Sequence, residues 1–525
     1  MSFAPGRRRF VQGTVALAGS TMIPRGVSAA TATYTRSNIS GRTISARTID
    51  SYKKAVRAML ALPPSDPRNW YRIALTHALD CPHGNWWFLV WHRGYIGWFE
   101  KIIREMSGDP TFALPFWDWT TEPRVPAVMF EDVLNPENSA YIASYEQFRA
   151  KFESTIKGLD YWKRVTNADG SFDTRTPYGQ ILARQTRFPD DLWFDLVDNP
   201  STGKLFCDAG ETRSVTAAEP GLDDDALKAV ARSTILDALS PRDFITFASP
   251  KARGHSAMVG FGVLEAMPHN LVHNALGTPI GFMSNNLSPV DPIFFLHHAN
   301  VDRLWDVWTR KQLAGGYPIL PDGYQLPDGD AKKASDYGKW TNEPFLFFVD
   351  EKGVPVKKTT AGDYIDTATF DYQYERGTGE EVLPSARADF GFTAPRATFN
   401  AKLADNRVTA DAPARALVTL PDSARDPMSQ TLLAFIDVDM PPGAGERWDV
   451  YVGNAAQPEH VATLAMFGHH GVAHGPVFFT VPIPTIAKRY FTAGRTVEIQ
   501  LRARPSPSAH MHVVPQVTAL RVEAM

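Results

Sequence analysis

Histidines carry the chemistry that is legible in this chain. In the stretch His269 to Trp308, HNLVHNALGTPIGFMSNNLSPVDPIFFLHHANVDRLWDVW, His269 and His273 are four residues apart, and His297 and His298 follow later. On a helix the four-residue spacing projects both imidazoles from one face. A second set, His77, His83 and His92, lies in HALDCPHGNWWFLVWH. Three neutral imidazoles aimed at one point suit copper, zinc, iron or nickel and exclude magnesium or calcium, which take oxygen ligands. One such set could be a zinc site or a polar patch in a core. Two sets of like construction point to a pair of metal positions.

The elements that must hold these rings follow from local sequence. Gly277 to Pro292 is rich in Gly, Pro, Ser and Asn and reads as loop. Asp291-Pro292 supplies an N-cap and a first helical position, and the apolar run that follows carries the His297-His298 pair. His83 and His92 are nine apart, which on one unbroken helix would place them on opposite faces. Pro82 and Gly84 break that helix, so His83 is expected on a turn before the helix of His92. His77 ends the preceding helix, whose Trp70, Ile73 and Ala74 form an apolar face. Each set is therefore helix, loop, helix.

These residues resemble a known family. CPHGNWWFLVWHRGY and PHNLVHN followed by SPVDPIFFLHHANVDRLW look like the two copper motifs of tyrosinases, the dinuclear copper polyphenol oxidases, and the likeness runs over about residues 36–375. The resemblance implies that His77, His83 and His92 hold one copper ion and His269, His273 and His298 the other, the second histidine of the pair being the family's ligand. His77 departs from the pattern, since many relatives place their first histidine further upstream, but no histidine precedes it here. The implied reaction is o-hydroxylation of monophenols and oxidation of o-diphenols to o-quinones by dioxygen. A catechol oxidase or o-aminophenol oxidase without monophenol activity, or an oxygen carrier of the hemocyanin type, shares the motifs. Zinc could not do this chemistry, having no accessible redox change.

The resemblance also assigns lesser roles. Phe294, four before His298, matches a ring beside the substrate, and Met283 falls near a gate over the second copper. Glu265 and Asn270 would hold a water that takes the phenol's proton, Glu265 polarising it and Asn270 orienting it. Asp302, four after His298, and its neighbour Arg303 would buttress the ligand helices. The Cys81-x-His83 spacing is similar to that of fungal tyrosinases and molluscan hemocyanins, in which a thioether joins the two side chains.

The rest of the chain frames this centre. It has 525 residues, 44% hydrophobic and 21% charged, enough for a large core and more than one domain. A net charge of -3 argues against nucleic acid or an anionic membrane as partner; the resemblance implies a phenolic small molecule and dioxygen instead. Cys81 and Cys207 cannot make a disulfide framework, and Cys207 and His255 read as structural. Residues 1–32, with Arg7-Arg8-Arg9-Phe10-Val11 before a weakly apolar segment, resemble a twin-arginine export leader, which implies a periplasmic or extracellular protein. No segment is apolar for long enough to be a membrane span. Residues 33–375 are expected to form a mainly helical catalytic domain, a four-helix bundle around two copper ions with long loops, closing at Tyr372-Gln373-Tyr374. A linker follows over 376–392, and alternating runs from 393 to 525 predict an all-β sandwich. That module resembles the C-terminal domain that covers the copper site in longer polyphenol oxidases. His469, His470 and His474 within it read as a solvated loop.

Overall fold

The computed structural model describes residues 32–525 except 160–204, 253, 256, 322–337, 384–396, 410–411, 422–425, 440–446, 455–456, 468–475 and 505–514. The leader, much of the linker and His469, His470 and His474 lie outside the described residues.

The chain opens on β1 (Tyr34–Arg36) and then α1 (Ala46–Ala61). Ser45 caps α1 by accepting from the Thr48 N–H, and Tyr52, Ala55, Val56 and Met59 make its buried stripe. Asn69 caps α2 (Trp70–Asp80), and α3 (Phe88–Ser107) ends at Gly108, whose φ of 68° is the left-handed stop glycine tolerates. The stretch 124–255 carries α4 (Tyr145–Lys157), α5 (Asp224–Ala229) and α6 (Arg232–Leu239). A two-residue strand β2 (Gly260–Phe261), α7 (Asn270–Gly277) and α8 (Ile293–Gly315) follow. Asp291 accepts from the Ile293 N–H at 3.1 Å, but it stands one residue before the N-cap of α8, which is Pro292 and not Asp291 as expected.

Helices α3 and α8 meet face to face, with the Phe99 and Phe295 rings parallel within 6° and 3.5 Å apart. Gly97 lets a second aromatic layer reach α3, because a Cβ there would lie 2.3 Å from the Phe370 ring. Strand β3 (Tyr372–Tyr374) pairs in parallel with β1, Tyr34 opposite Tyr372. Between them Arg36 is wholly buried, 2.7 Å from Glu100 of α3 and 3.5 Å from Asp302 of α8, its guanidinium over the Tyr372 ring.

Eight further strands form the C-terminal domain: β4 (Ala397–Asp405), β5 (Ala414–Thr419), β6 (Leu432–Asp439), β7 (Trp448–Asn454), β8 (Gln457–Leu464), β9 (Val477–Pro482), β10 (Thr496–Ala503) and β11 (Gln516–Ala524). The expected two-sheet sandwich needs correction. The strands run in one continuous hydrogen-bonded order, β2-β9-β6-β11-β4-β5-β10-β7-β8, with β4 continuing the ladder on to β5 where separate sheets would break it. The sheet curls on itself around buried Ile436, Val450, Phe479 and Ile499.

A strand pairing and a cluster of ion pairs are among the contacts that seat this sheet on the helical domain. β2 adds to it in parallel, Gly260 opposite Phe478, and a Cβ at Gly260 would fall 2.3 Å from the Phe478 carbonyl oxygen. Asp225 of α5 meets Arg447 at 3.0 Å and Arg504 at 2.5 Å. No helix among the described residues is long and apolar enough to cross a membrane.

Candidate dinuclear metal centre

Four helices and two turns bring the predicted histidines together. His77 comes from the last turns of α2, His92 from the start of α3, and His83 from the turn between them. One ring nitrogen of each lies within 4.8 Å of the other two. His269, His273 and His298, with His297 as a fourth member, meet the same condition. The groups abut, since the His92 and His298 rings stack at 4.3 Å with planes 6° apart.

Backbone carbonyls set which nitrogen faces inward. His77 Nδ1 lies 2.8 Å from the Asn286 carbonyl oxygen, His92 Nδ1 2.7 Å from that of Phe88, and His273 Nδ1 2.6 Å from that of Met283. Each Nδ1–H donates outward and leaves an Nε2 lone pair for the interior. Burial lowers the pKa of His77 to about 3 and pushes those of His92, His269, His273, His297 and His298 well below the usual range, so the rings are neutral.

The Nε2 atoms of His77, His92 and His269 are buried and meet no hydrogen-bond partner among the described residues. His273 Nε2 and His298 Nε2 stand 3.1 Å apart. Leaving so many polar atoms unsatisfied in a dry interior would cost about 1–3 kcal/mol apiece. Their convergence is the signature of a site built for metal, and neutral imidazole is a ligand copper accepts in both its common oxidation states.

Around the rings, Phe294 lies 5.0 Å from His77 and 4.2 Å from His298, between the groups. Met283 is buried and engages the centre through its carbonyl on His273. Cys81 Sγ is 3.4 Å from His83 Nδ1, and burial raises its thiol pKa. Cys207 is a partly buried free thiol near Asn285, and His255 Nε2 sits 2.6 Å from the Asp80 carbonyl oxygen, both away from the rings.

Asp302 buttresses from a distance. Its carboxylate accepts from Arg93 at 2.7 Å, Tyr372 at 2.5 Å and Tyr374 at 2.6 Å, with Arg36 at 3.5 Å. Arg93 adjoins His92, so this cluster fixes α3 against α8. Arg303 bonds Asn300 within α8 at 2.7 Å and lies over Phe116.

Glu265 and His269 bound a π-turn rather than a regular helix, with Pro268 inside it. Glu265 is wholly buried and bonds the Gly84 N–H at 2.8 Å and the Ser249 hydroxyl, which ties the turn bearing His83 to the turn bearing His269. Burial pushes its carboxyl well above the usual range. Asn270 is also buried; its Oδ1 lies 2.8 Å from His269 Nδ1 and its Nδ2 donates to the Ala465 carbonyl at 3.0 Å.

That last bond shows what the sequence reading missed. Residues Ala465 to Phe467, just past β8, enter the centre. Asn274 Nδ2 donates to the Met466 carbonyl at 3.3 Å. The buried Phe467 ring lies 3.8 Å from His273, 4.8 Å from His83 and 5.4 Å from His269, touching both groups. No local signal marks Phe467, since its neighbours in sequence belong to the distant sheet. His297 was passed over too. It is buried beside His269 and His273 with neither ring nitrogen bonded among the described residues.

The profile described as the common central domain of tyrosinase matches residues 66–311, which carry all these histidines. A chloroplastic polyphenol oxidase of Vitis vinifera is 27% identical over 351 residues, 63% of this chain and 46% of that protein. Aureusidin synthase of Antirrhinum majus is 28% identical over 349 residues, 62% of this chain and 49% of that one. The chain thus spans about half the length of the curated relatives it matches. Among solved structures, latent aurone synthase superposes with a TM-score of 0.55 at 18% identity, covering 94% of this chain and 89% of its own. Latent apple tyrosinase does so with 0.52 at 19% identity, covering 94% and 98%. These superpositions span both domains and agree with a helical domain followed by a curled β-sheet. The family's cofactor is a pair of copper ions, and the histidine groups fit it. Over residues 66–311 the chain thus carries the common central domain of tyrosinase.

Proposed function

We propose that this protein oxidises phenols with dioxygen at two copper ions, one held by His77, His83 and His92 and the other by His269, His273 and His298. The observation that carries the reading is the pair of facing imidazole groups, in which the Nε2 atoms of His77, His92 and His269 meet no hydrogen-bond partner among the described residues. Bound copper would pass electrons from the phenolic substrate to dioxygen; the balance for a catechol is two diphenols and one dioxygen giving two o-quinones and two waters. The four ligand-bearing helices are read as the bundle of the catalytic domain.

The chain's own residues supply the rest. Phe294, between the groups, limits where a ring can lie. A monophenol, with a pKa near 10, must lose a proton to bind as phenolate. Glu265, its carboxyl raised by burial, suits a proton acceptor through a water that Asn270 orients. A second reading, diphenol oxidation alone, draws support from Asn270 itself, whose amide is committed at both ends to His269 and Ala465. We further propose that residues 393–525 shield the site, with Phe467 occupying the place of a substrate ring, that Cys81 and His83 become joined by a thioether, and that residues 1–32 direct export by the twin-arginine route.

Oxygen uptake by copper-loaded protein with tyrosine, catechol and o-aminophenol tests the assignment. Two coppers per chain and turnover of catechol are expected, and His273→Ala should lose about one copper and all turnover. Full copper and activity in that variant would overturn the ligand set.

A further inference from the structure

His297 is the buried imidazole that the assigned ligand set leaves idle. It is wholly buried one position before His298 on α8, and neither of its ring nitrogens meets a hydrogen-bond partner among the described residues. Its ring lies 4.8 Å from that of His273, 5.1 Å from His298 and 5.5 Å from His269. One ring nitrogen from each of these four residues falls within 4.8 Å of the other three. Four nitrogens bound about 2 Å from one ion span at most about 4 Å, so from 4.8 Å the rings need close by less than about 1 Å. Among the described residues the first group, His77, His83 and His92, has no such fourth member.

Buried polar atoms almost always find a partner, so a ring kept only for packing would bond at least one nitrogen. Four of the assigned ligands are oriented beforehand, His77, His92 and His273 by carbonyls and His269 by Asn270. His298 is held by stacking on His92 at 4.3 Å. No such bond fixes the tautomer of His297, so either nitrogen can serve an ion. The rival for the ring is Trp119, which stands edge-on at 5.9 Å with its own Nε1 unbonded among the described residues. We propose that His297 is a fourth imidazole ligand for a lone copper(II) ion at the second group, with His269, His273 and His298. This rests on the dicopper reading of the same site. Four imidazoles in a tetragonal set are what copper(II) favours, so the second group takes the first ion and the two positions fill in order.

Pulsed electron paramagnetic resonance counts the imidazoles on a copper(II) ion through their remote nitrogens. Metal-free full-length protein is given half an equivalent of copper(II), as are His297→Ala and the bulkier His297→Gln. Four imidazoles are expected in the unaltered protein and three in both variants. The first copper should bind each variant at least about tenfold more weakly in competition with nitrilotriacetate, since losing a ligand costs no less than losing the group that orients one. At saturating copper both variants should still hold two ions per chain. Three imidazoles in the unaltered protein would overturn the inference, whichever group the ion had entered. So would four in either variant. Copper bound without imidazole, or fewer than two ions per saturated unaltered chain, would instead overturn the dicopper reading.

Discussion

Replacing Phe467 with alanine should open the site. The ring is fully buried, and its contacts are with His273 at 3.8 Å, His83 at 4.8 Å and His269 at 5.4 Å, all across the boundary between the domains. Truncating a buried Phe costs about 3–5 kcal/mol where the cavity cannot collapse. Because these contacts exist only when the C-terminal domain is docked, the loss falls on the docked state and not on the sheet's own fold. At about 1.4 kcal/mol per decade, the ratio of docked to open forms should fall by roughly two to three and a half decades. The Gly260–Phe478 pairing, the Asp225 ion pairs and the two asparagine bonds remain, so part of the shift stays hidden. We expect kcat/KM for a bulky catechol, measured by oxygen uptake on copper-loaded full-length protein, to rise by at least about tenfold. Unchanged kcat/KM with copper fully retained would refute the shielding argument.

Three other predictions follow from particular contacts. Asn270→Gly or Glu265→Gln should lower turnover of tyrosine much more than that of catechol, because only the monophenol needs its proton removed by the site; equal losses would assign both residues to folding or copper binding. Tryptic peptides of copper-loaded protein should contain Cys81 and His83 joined with two hydrogens lost, and a Cys81 that an alkylating reagent labels in active enzyme would end that idea. Acid should loosen the domain boundary. Burial works against ionisation of Asp225, yet Arg504 and Arg447 hold its pKa below the usual value; Asp449, likewise opposed by burial, is held down to about 2 by His460 and Arg504. A depressed carboxylate gives its full stabilisation above its unfolded pKa of about 3.9 and loses it as pH falls through the folded value. Protease cleavage between the domains should therefore quicken from about pH 4 down to about pH 2. At neutral pH Asp225→Asn should already show the faster rate, and identical cleavage of the two proteins there would discount the ion pairs.

The histidine groups could be read from sequence because their geometry is local. Four-residue spacing on a helix, a break at Pro82 and Gly84, and a loop ended by Asp291-Pro292 each act over a few residues, and the structure places the rings where those signals put them. Five strands of the C-terminal domain showed as alternating runs. β4, β8 and β11 were not singled out, and in β4 the alternation of ATFNAKLAD is faint because its inward side is built largely of alanine and only Phe399 is fully buried. The curl of the sheet depends on register between strands far apart in sequence, which no local pattern encodes. Phe467 is the extreme case. Its role comes wholly from the docking of one domain on another, and its neighbours say nothing of the histidines it meets. The π-turn at Glu265 was hidden as well, because Pro268 signals disruption without saying which kind.

The parallel pairing of Tyr34–Arg36 with Tyr372–Tyr374 has a consequence for how the catalytic domain comes into being. Its register joins residues separated by 338 positions, for Arg36 opposite Tyr374. Asp302 receives Arg36 from one side of that join and Tyr372 and Tyr374 from the other. A nascent chain that has made every histidine of both groups still lacks two of those partners, and buried Arg36 lacks its neighbouring strand. Contacts of such long sequence separation form late and slowly, because the entropy of loop closure is lost before they return anything. The rings are thus gathered into final position only after synthesis has passed Tyr374, which makes metal loading an event of the finished domain and not of the growing chain.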